Sequence, residues 1–129
     1  MKLLNLEQLL QLHALVIQET GGDDGLRDLG RIEAALATQT QNIFGEELYV
    51  GPTEKAAALI RGIIADHPFV DGNKRTAMLA GLTFLKLQGV TSHISKGQLE
   101  NFAVQIAVEQ LDVKAVSKWL EQYTDPFLS

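Results

Sequence analysis

The chain has 129 residues, 46% of them apolar, which is enough for one domain with its own core and no metal or disulfide staple. It contains no cysteine, which excludes disulfides, thiol nucleophiles and cysteine-ligated zinc and fits a reducing, cytoplasmic setting. A formal net charge of −5 and only 6% aromatic residues speak against direct nucleic-acid binding, which needs a surplus of cations and stacking platforms.

Met1-Lys2-Leu3-Leu4 opens like a signal peptide, but Glu7, Gln8, Gln11 and His13 interrupt the apolar run, so neither export nor a membrane span is expected. Asn5 with Gln8 reads as a helix cap, and Leu6, Leu9, Leu10, His13, Val16 and Ile17 recur at helical spacing to about Thr20. His13, on the apolar face, is expected to pack in the core with one nitrogen satisfied. Gly21-Gly22-Asp23-Asp24-Gly25 is a turn, because its carboxylates lack the spacing of a calcium loop. Leu29, Ile32, Ala35 and Leu36 space a short second helix. Residues 39–51 then lose the helical period and read as a loop with a small β-hairpin.

Pro52 suits a first helical position, and Ala56, Ala57, Leu59, Ile60, Ile63 and Ile64 give the third helix a broad apolar face. That helix should stop before Pro68, leaving His67 at its exit. A fourth helix runs from about Asn73 to Gln88 and stops at Gly89. Its residues from Ala77 to Leu87 are apolar or small on nearly every side, which marks a buried central element. Ser95 and Gln98 cap a fifth helix through Leu99, Phe102, Ala103 and Ile106. Asp112 starts a sixth with Val116, Trp119, Leu120 and Tyr123, ended by Asp125-Pro126. Trp119 and Tyr123 share a face that is either core or partner-facing, core being favoured, whereas His93 gives no site signal. The expected fold is an all-α, six-helix bundle around residues 73–88, forming a single domain over 1–129.

The polar start of that buried helix is the exception that carries chemistry. The first N–H groups of a helix have no intrahelical partner and its dipole favours anions, so Asp71-Gly72-Asn73-Lys74-Arg75 reads as a phosphate seat. Gly72 permits close approach, Asn73 offers an amide, and Lys74 and Arg75 add cations. Asp71 would repel phosphate unless a divalent ion, Mg²⁺ by its preference for oxygen, lies between them. A nucleoside triphosphate is then the natural ligand class. His67 can act as general base and Phe69 as the anchor of the loop. A P-loop is excluded, because Gly-x-x-x-x-Gly-Lys-Ser/Thr is missing.

The run His67-Pro68-Phe69-Val70-Asp71-Gly72-Asn73-Lys74-Arg75-Thr76-Ala77 resembles the signature of the Fic/Doc superfamily, and most of all its Doc, or death-on-curing, branch. Of the Fic pattern His-x-Phe-x-Asp/Glu-Gly-Asn-Gly-Arg-x-x-Arg, Lys74 and Met78 break the match in the Doc manner, while Gly72 is the Fic-like choice. Gly30-Arg31-Ile32-Glu33-Ala34-Ala35-Leu36 and Lys55-Ala56-Ala57-Ala58-Leu59 are similar to the family's earlier helices.

The resemblance implies a growth-arresting toxin that transfers the γ-phosphoryl group of ATP to a Ser or Thr of a protein in the translation machinery, an elongation factor for example. His67 would be the base, Asp71 would hold Mg²⁺, and Gly72, Asn73, Lys74 and Arg75 would hold phosphates. AMP transfer, as in Fic relatives, is the alternative, and a non-catalytic nucleotide- or protein-binding module the third reading. Glu46, Glu47, Leu48, Tyr49 and Val50 stand where relatives carry a flap that aligns the target by strand addition. Relatives are often silenced by a Ser/Thr-x-x-x-Glu-Gly/Asn helix. Glu100-Asn101 has Lys96 in place of the hydroxyl residue, so inhibition is expected from a separate antitoxin protein that becomes helical in a groove on the bundle.

Overall fold

A computed structural model describes residues 1–125. Helix α1 (Leu6–Thr20) begins with the reciprocal Asn5–Gln8 box and ends at Gly21, whose φ of 77° is easy only for glycine. Asp28 caps α2 (Leu29–Ala37) by accepting from the Arg31 N–H, and a 3₁₀ turn (Thr38–Thr40) follows. Strands β1 (Asn42–Ile43) and β2 (Glu46–Glu47) form the expected hairpin, turned through Phe44 and Gly45 at φ 52° and 83°. Positive φ at both central residues matches the right-handed twist of a two-residue hairpin. Helix α3 (Pro52–Asp66) opens with proline in its first turn and runs into α4 (Asn73–Leu87) through the loop that carries the motif. Strand β3 (Thr91–Ser92), α5 (Lys96–Glu109), α6 (Val113–Gln122) and β4 (Thr124–Asp125) complete the described chain.

The all-α expectation is met, with six helices and only two short antiparallel strand pairs among the described residues. Three details differ from the sequence reading. Of the five residues assigned to a flap, Glu46 and Glu47 alone lie in a strand; Leu48 and Tyr49 are half-buried beside it and Val50 is exposed. The second pair, β3 with β4, was not foreseen, because two-residue strands are too short to show an alternating pattern. Helix α6 ends at Gln122 so that Thr124 and Asp125 can pair with Ser92 and Thr91; Pro126, assigned as its stop, lies outside the described residues.

The centre of the bundle is shared by α3 and α4 rather than belonging to α4 alone. Helix α3 buries Ala56, Ala57, Ala58, Leu59, Ile60, Ile63 and Ile64 and packs against α2, α4, α5 and α6. Gly81 lets the two central helices approach closely: a Cβ there would stand 2.4 Å from the Ile60 Cδ1, so any larger residue would force the Ile60 side chain to shift. Phe102 of the core stacks on Trp119 with ring centroids 3.9 Å apart, and Tyr123 leans on Trp119 at 4.7 Å; Trp119 and Tyr123 are half-buried at the edge of the core. No helix among the described residues is long and apolar enough to cross a membrane.

Candidate active site

Pro68 biases the residue before it away from the helical region, and α3 accordingly stops at Asp66. His67 takes a left-handed conformation (φ 47°, ψ 59°) and its N–H closes the helix on the Ile63 carbonyl at 3.1 Å, leaving the imidazole exposed. The following five residues form a loop whose shape is fixed by hydrogen bonds on both sides.

On one side it is stitched to the segment read as a plain turn. Arg27 and Asp28 N–H groups both donate to the Pro68 carbonyl, at 2.8 and 3.1 Å, and Val70 N–H donates to the Gly25 carbonyl at 3.0 Å. The Asp23 N–H donates to Asp71 Oδ2 at 2.8 Å, and a Cβ added at Gly22 would stand 3.3 Å from the same carboxylate oxygen. On the other side Phe69, 1% exposed, is driven into the core as expected of an anchor. The Asn73 carboxamide spans it, accepting the Phe69 N–H and donating to the Phe69 carbonyl, both at 2.9 Å. Asn73 was expected to offer this amide to phosphate; its oxygen and one of its N–H groups close the loop, which leaves the second side-chain N–H and the backbone N–H for a ligand.

Gly72, at φ 78°, turns the chain into α4, and no side chain caps that helix. An uncapped first turn is unusual at a buried helix and leaves N–H groups to an anion. The adjoining cleft, about 360 Å³, is lined by His67 and by Val70, Asp71, Gly72, Asn73, Lys74 and Arg75. Imidazole, carboxylate and helix N-terminus therefore meet around one space, while no hairpin residue lines it.

The two cations differ. Lys74 is exposed and has no ion-pair partner among the described residues. Arg75 is held between Glu19 of α1 and Glu100 of α5, at 2.7 and 3.3 Å, and Glu19 also lies 3.4 Å from Lys96. Glu100 belongs to the pair set aside because Lys96 replaces the hydroxyl residue; it reaches the motif arginine all the same. Each carboxylate would compete with any phosphate offered to the guanidinium. Glu100→Gln is therefore expected to tighten Mg·ATP binding by up to about fivefold, the scale of a partly exposed ion pair, as read by titration calorimetry. Weaker binding would show that Glu100 supports the site instead of restraining it.

Asp71 is exposed, and with Oδ2 committed to Asp23 it can offer Oδ1 to a cation. One carboxylate, with phosphate oxygens and water, suits Mg²⁺, which rarely takes an all-protein cage. No cluster of three acidic, His or Cys ligands exists among the described residues.

His13 is buried with one nitrogen satisfied, as expected, but sequence reading missed that it supports this loop, as it missed Asp23 and Gly25 and the pairing of Glu19 and Glu100 with Arg75. His13 stacks on Phe69 with centroids 3.7 Å apart and reaches the Asp71 carbonyl at 2.8 Å. A polar residue on the apolar face of α1, eight residues before a glycine cluster, was the available signal.

Comparison with known proteins agrees with the geometry. The model of the Fic/DOC family matches residues 3–85, which include the whole loop. Toxin Doc of Mycolicibacterium smegmatis is 33% identical over 99 residues, 75% of this chain and 76% of the relative. Protein kinase doc of Escherichia phage P1 is 32% identical over 116 residues, 90% of each chain. With the His67-to-Arg75 loop folded over an uncapped helix and these matches across most of its length, the chain belongs to the Fic/Doc family, on its Doc branch.

Proposed function

We propose that this protein is the toxin of a toxin–antitoxin pair and a kinase that transfers the γ-phosphoryl group of ATP to a Ser or Thr hydroxyl of a protein in the translation machinery, an elongation factor for example, in the cytoplasm. The observation that carries the reading is the shared cleft, in which exposed His67 faces the uncapped N-terminus of α4. In the reaction His67 takes the hydroxyl proton as the target oxygen bonds to the γ-phosphorus, the bond to the β,γ-bridging oxygen breaks, and ADP leaves. The first-turn N–H groups and Lys74 hold the phosphates, joined by Arg75 when it exchanges its carboxylates for phosphate. Mg²⁺, held by Asp71 and phosphate oxygens, would supply charge neutralisation.

Kinase chemistry is preferred over AMP transfer because of Met78. It stands where AMP-transferring relatives have an arginine for the distal phosphates, is 2% exposed, and brings no charge. The relative from phage P1 carries the name of a protein kinase, in accord with this choice. The hairpin of Glu46 and Glu47, with Leu48, Tyr49 and Val50, is the element proposed to align the target.

An antitoxin segment fits the groove of about 240 Å³ between α4 and α5, floored by Met78, Leu79, Leu99, Ala103 and Val104 and rimmed by Lys74 and Lys96. An amphipathic helix with an acidic edge would cover that floor and reach the phosphate seat beside it. Neither a nucleic-acid nor a membrane surface enters this reading.

The deciding experiment supplies ATP labelled at the α- or at the γ-phosphate to the protein in cell extract. Label from the γ position should reach protein. Label from the α position would replace the kinase reading by AMP transfer, and transfer of neither would leave a nucleotide- or protein-binding module.

A further inference from the structure

His13 is 4% exposed, lies on α1 far from the motif in sequence, and makes two contacts that both end on the catalytic loop. Its ring stacks on Phe69 with an interplanar angle of 7° and centroids 3.7 Å apart. Its Nε2 is 2.8 Å from the backbone carbonyl of Asp71. A carbonyl oxygen can only accept, so Nε2 carries the proton and donates. Beneath the loop, the same helix turn closes the space behind Gly72: a Cβ there would lie 3.2 Å from Val16 Cγ1, 3.2 Å from Ile17 Cδ1 and 3.8 Å from His13 Cδ2.

Core packing explains the stack but not the donor. A phenylalanine would satisfy the apolar contact, and a buried imidazole is retained at the cost of desolvating its nitrogens. Asp71 has two constraints from outside the motif, Asp23 on its carboxylate and His13 on its carbonyl. The first aims the side chain and the second fixes the peptide plane from which Gly72 and α4 depart. Losing the second frees the Asp71–Gly72 peptide to rotate, which moves both the carboxylate and the first N–H groups of the seat.

We infer that His13 is a positioning residue of the active site, whose Nε2–H holds the Asp71 carbonyl and so aligns the carboxylate with the α4 N-terminus. This rests on the kinase reading for its consequence in turnover, but not for its consequence in loop order.

The test separates ring from donor. His13→Phe keeps a stacking ring and removes the donor; His13→Gln removes the ring and keeps an N–H able to reach the carbonyl. His13→Phe is expected to retain its melting temperature while kcat for γ-label transfer falls by about tenfold or more, with KM for ATP nearly unchanged, the pattern of a misaligned reacting geometry. His13→Gln should recover most of that kcat despite a lower melting temperature, so stability and rate would move in opposite directions. Amide hydrogen exchange at Val70, Asp71 and Gly72 should quicken in His13→Phe and slow again in His13→Gln. Wild-type kcat or unchanged exchange in His13→Phe, or a His13→Gln variant no better than His13→Phe, would overturn the inference. Exchange is read with neither nucleotide nor target, so it judges His13 even if γ-label transfer fails and takes the kinase reading with it.

Discussion

Replacement of His67 by Ala is expected to lower the rate of γ-phosphoryl transfer by about 10²- to 10⁴-fold, the contribution of a positioned general base. The same variant should bind Mg·ATP as the unaltered protein does, because the proposed reading gives the phosphates to the first turn of α4 and Lys74, not to the imidazole. The effect should therefore fall on kcat and leave KM for ATP within a few-fold. Stability is a weak objection here: the His67 side chain is exposed, and its backbone contribution is the single N–H bond to Ile63, which Ala also makes. Because His67 sits at φ 47°, a conformation that asparagine tolerates better than alanine, His67→Asn serves as the companion variant. Both variants should lose transfer and, when expressed in cells, growth arrest. Transfer at the normal rate by either folded variant would remove His67 from the chemistry. Loss of ATP binding would instead recast it as part of the phosphate site.

Most of this arrangement was legible in the sequence because its signals are local. The caps at Asn5, Ser95 and Asp112, the stop imposed by Pro68, and the apolar faces of α3 and α4 each depend on residues within a turn or two of one another. The loop motif is equally compact, so the residues lining the cleft could be named before any coordinate. What stayed hidden depends on pairs distant along the chain. His13 meets Asp71 across 58 positions, Asp23 meets Asp71 across 48, and Arg75 meets Glu19 across 56. No periodicity reports such contacts, since each residue has an ordinary local role as core histidine, turn aspartate or surface glutamate. The contact of Asn73 with Phe69 stayed hidden for a related reason. Their spacing of four gives no sign that the loop will fold back and use both ends of the Asn73 amide.

Lys55 shows how much can depend on a residue of this kind. It is 1% exposed, among the largest fully buried side chains, and its ammonium donates to the Gln39 carbonyl at 2.6 Å and lies 3.2 Å from Glu47 in the hairpin. Gln39, itself 2% exposed, uses its side chain to bind the N–H and the carbonyl of Leu4, at 2.8 and 2.9 Å. One network thus ties the N-terminal segment, the 3₁₀ turn, α3 and the hairpin together. Lys55→Ala is expected to destabilise the fold by about 3–5 kcal/mol, combining a cavity with a buried carbonyl left without its donor. Urea unfolding should show this as a lower midpoint, and the melting temperature should fall by about 10 °C or more. Glu47→Gln should cost about 1 kcal/mol or less, because the Glu47 side chain is 52% exposed and exchanges its partner for water. That inequality identifies which contact matters. A large loss from Glu47→Gln would mean that the ion pair itself holds the hairpin. A small loss from both variants would mean that the carbonyl of Gln39 finds water when Lys55 is gone, and that the network is a consequence of packing instead of its support.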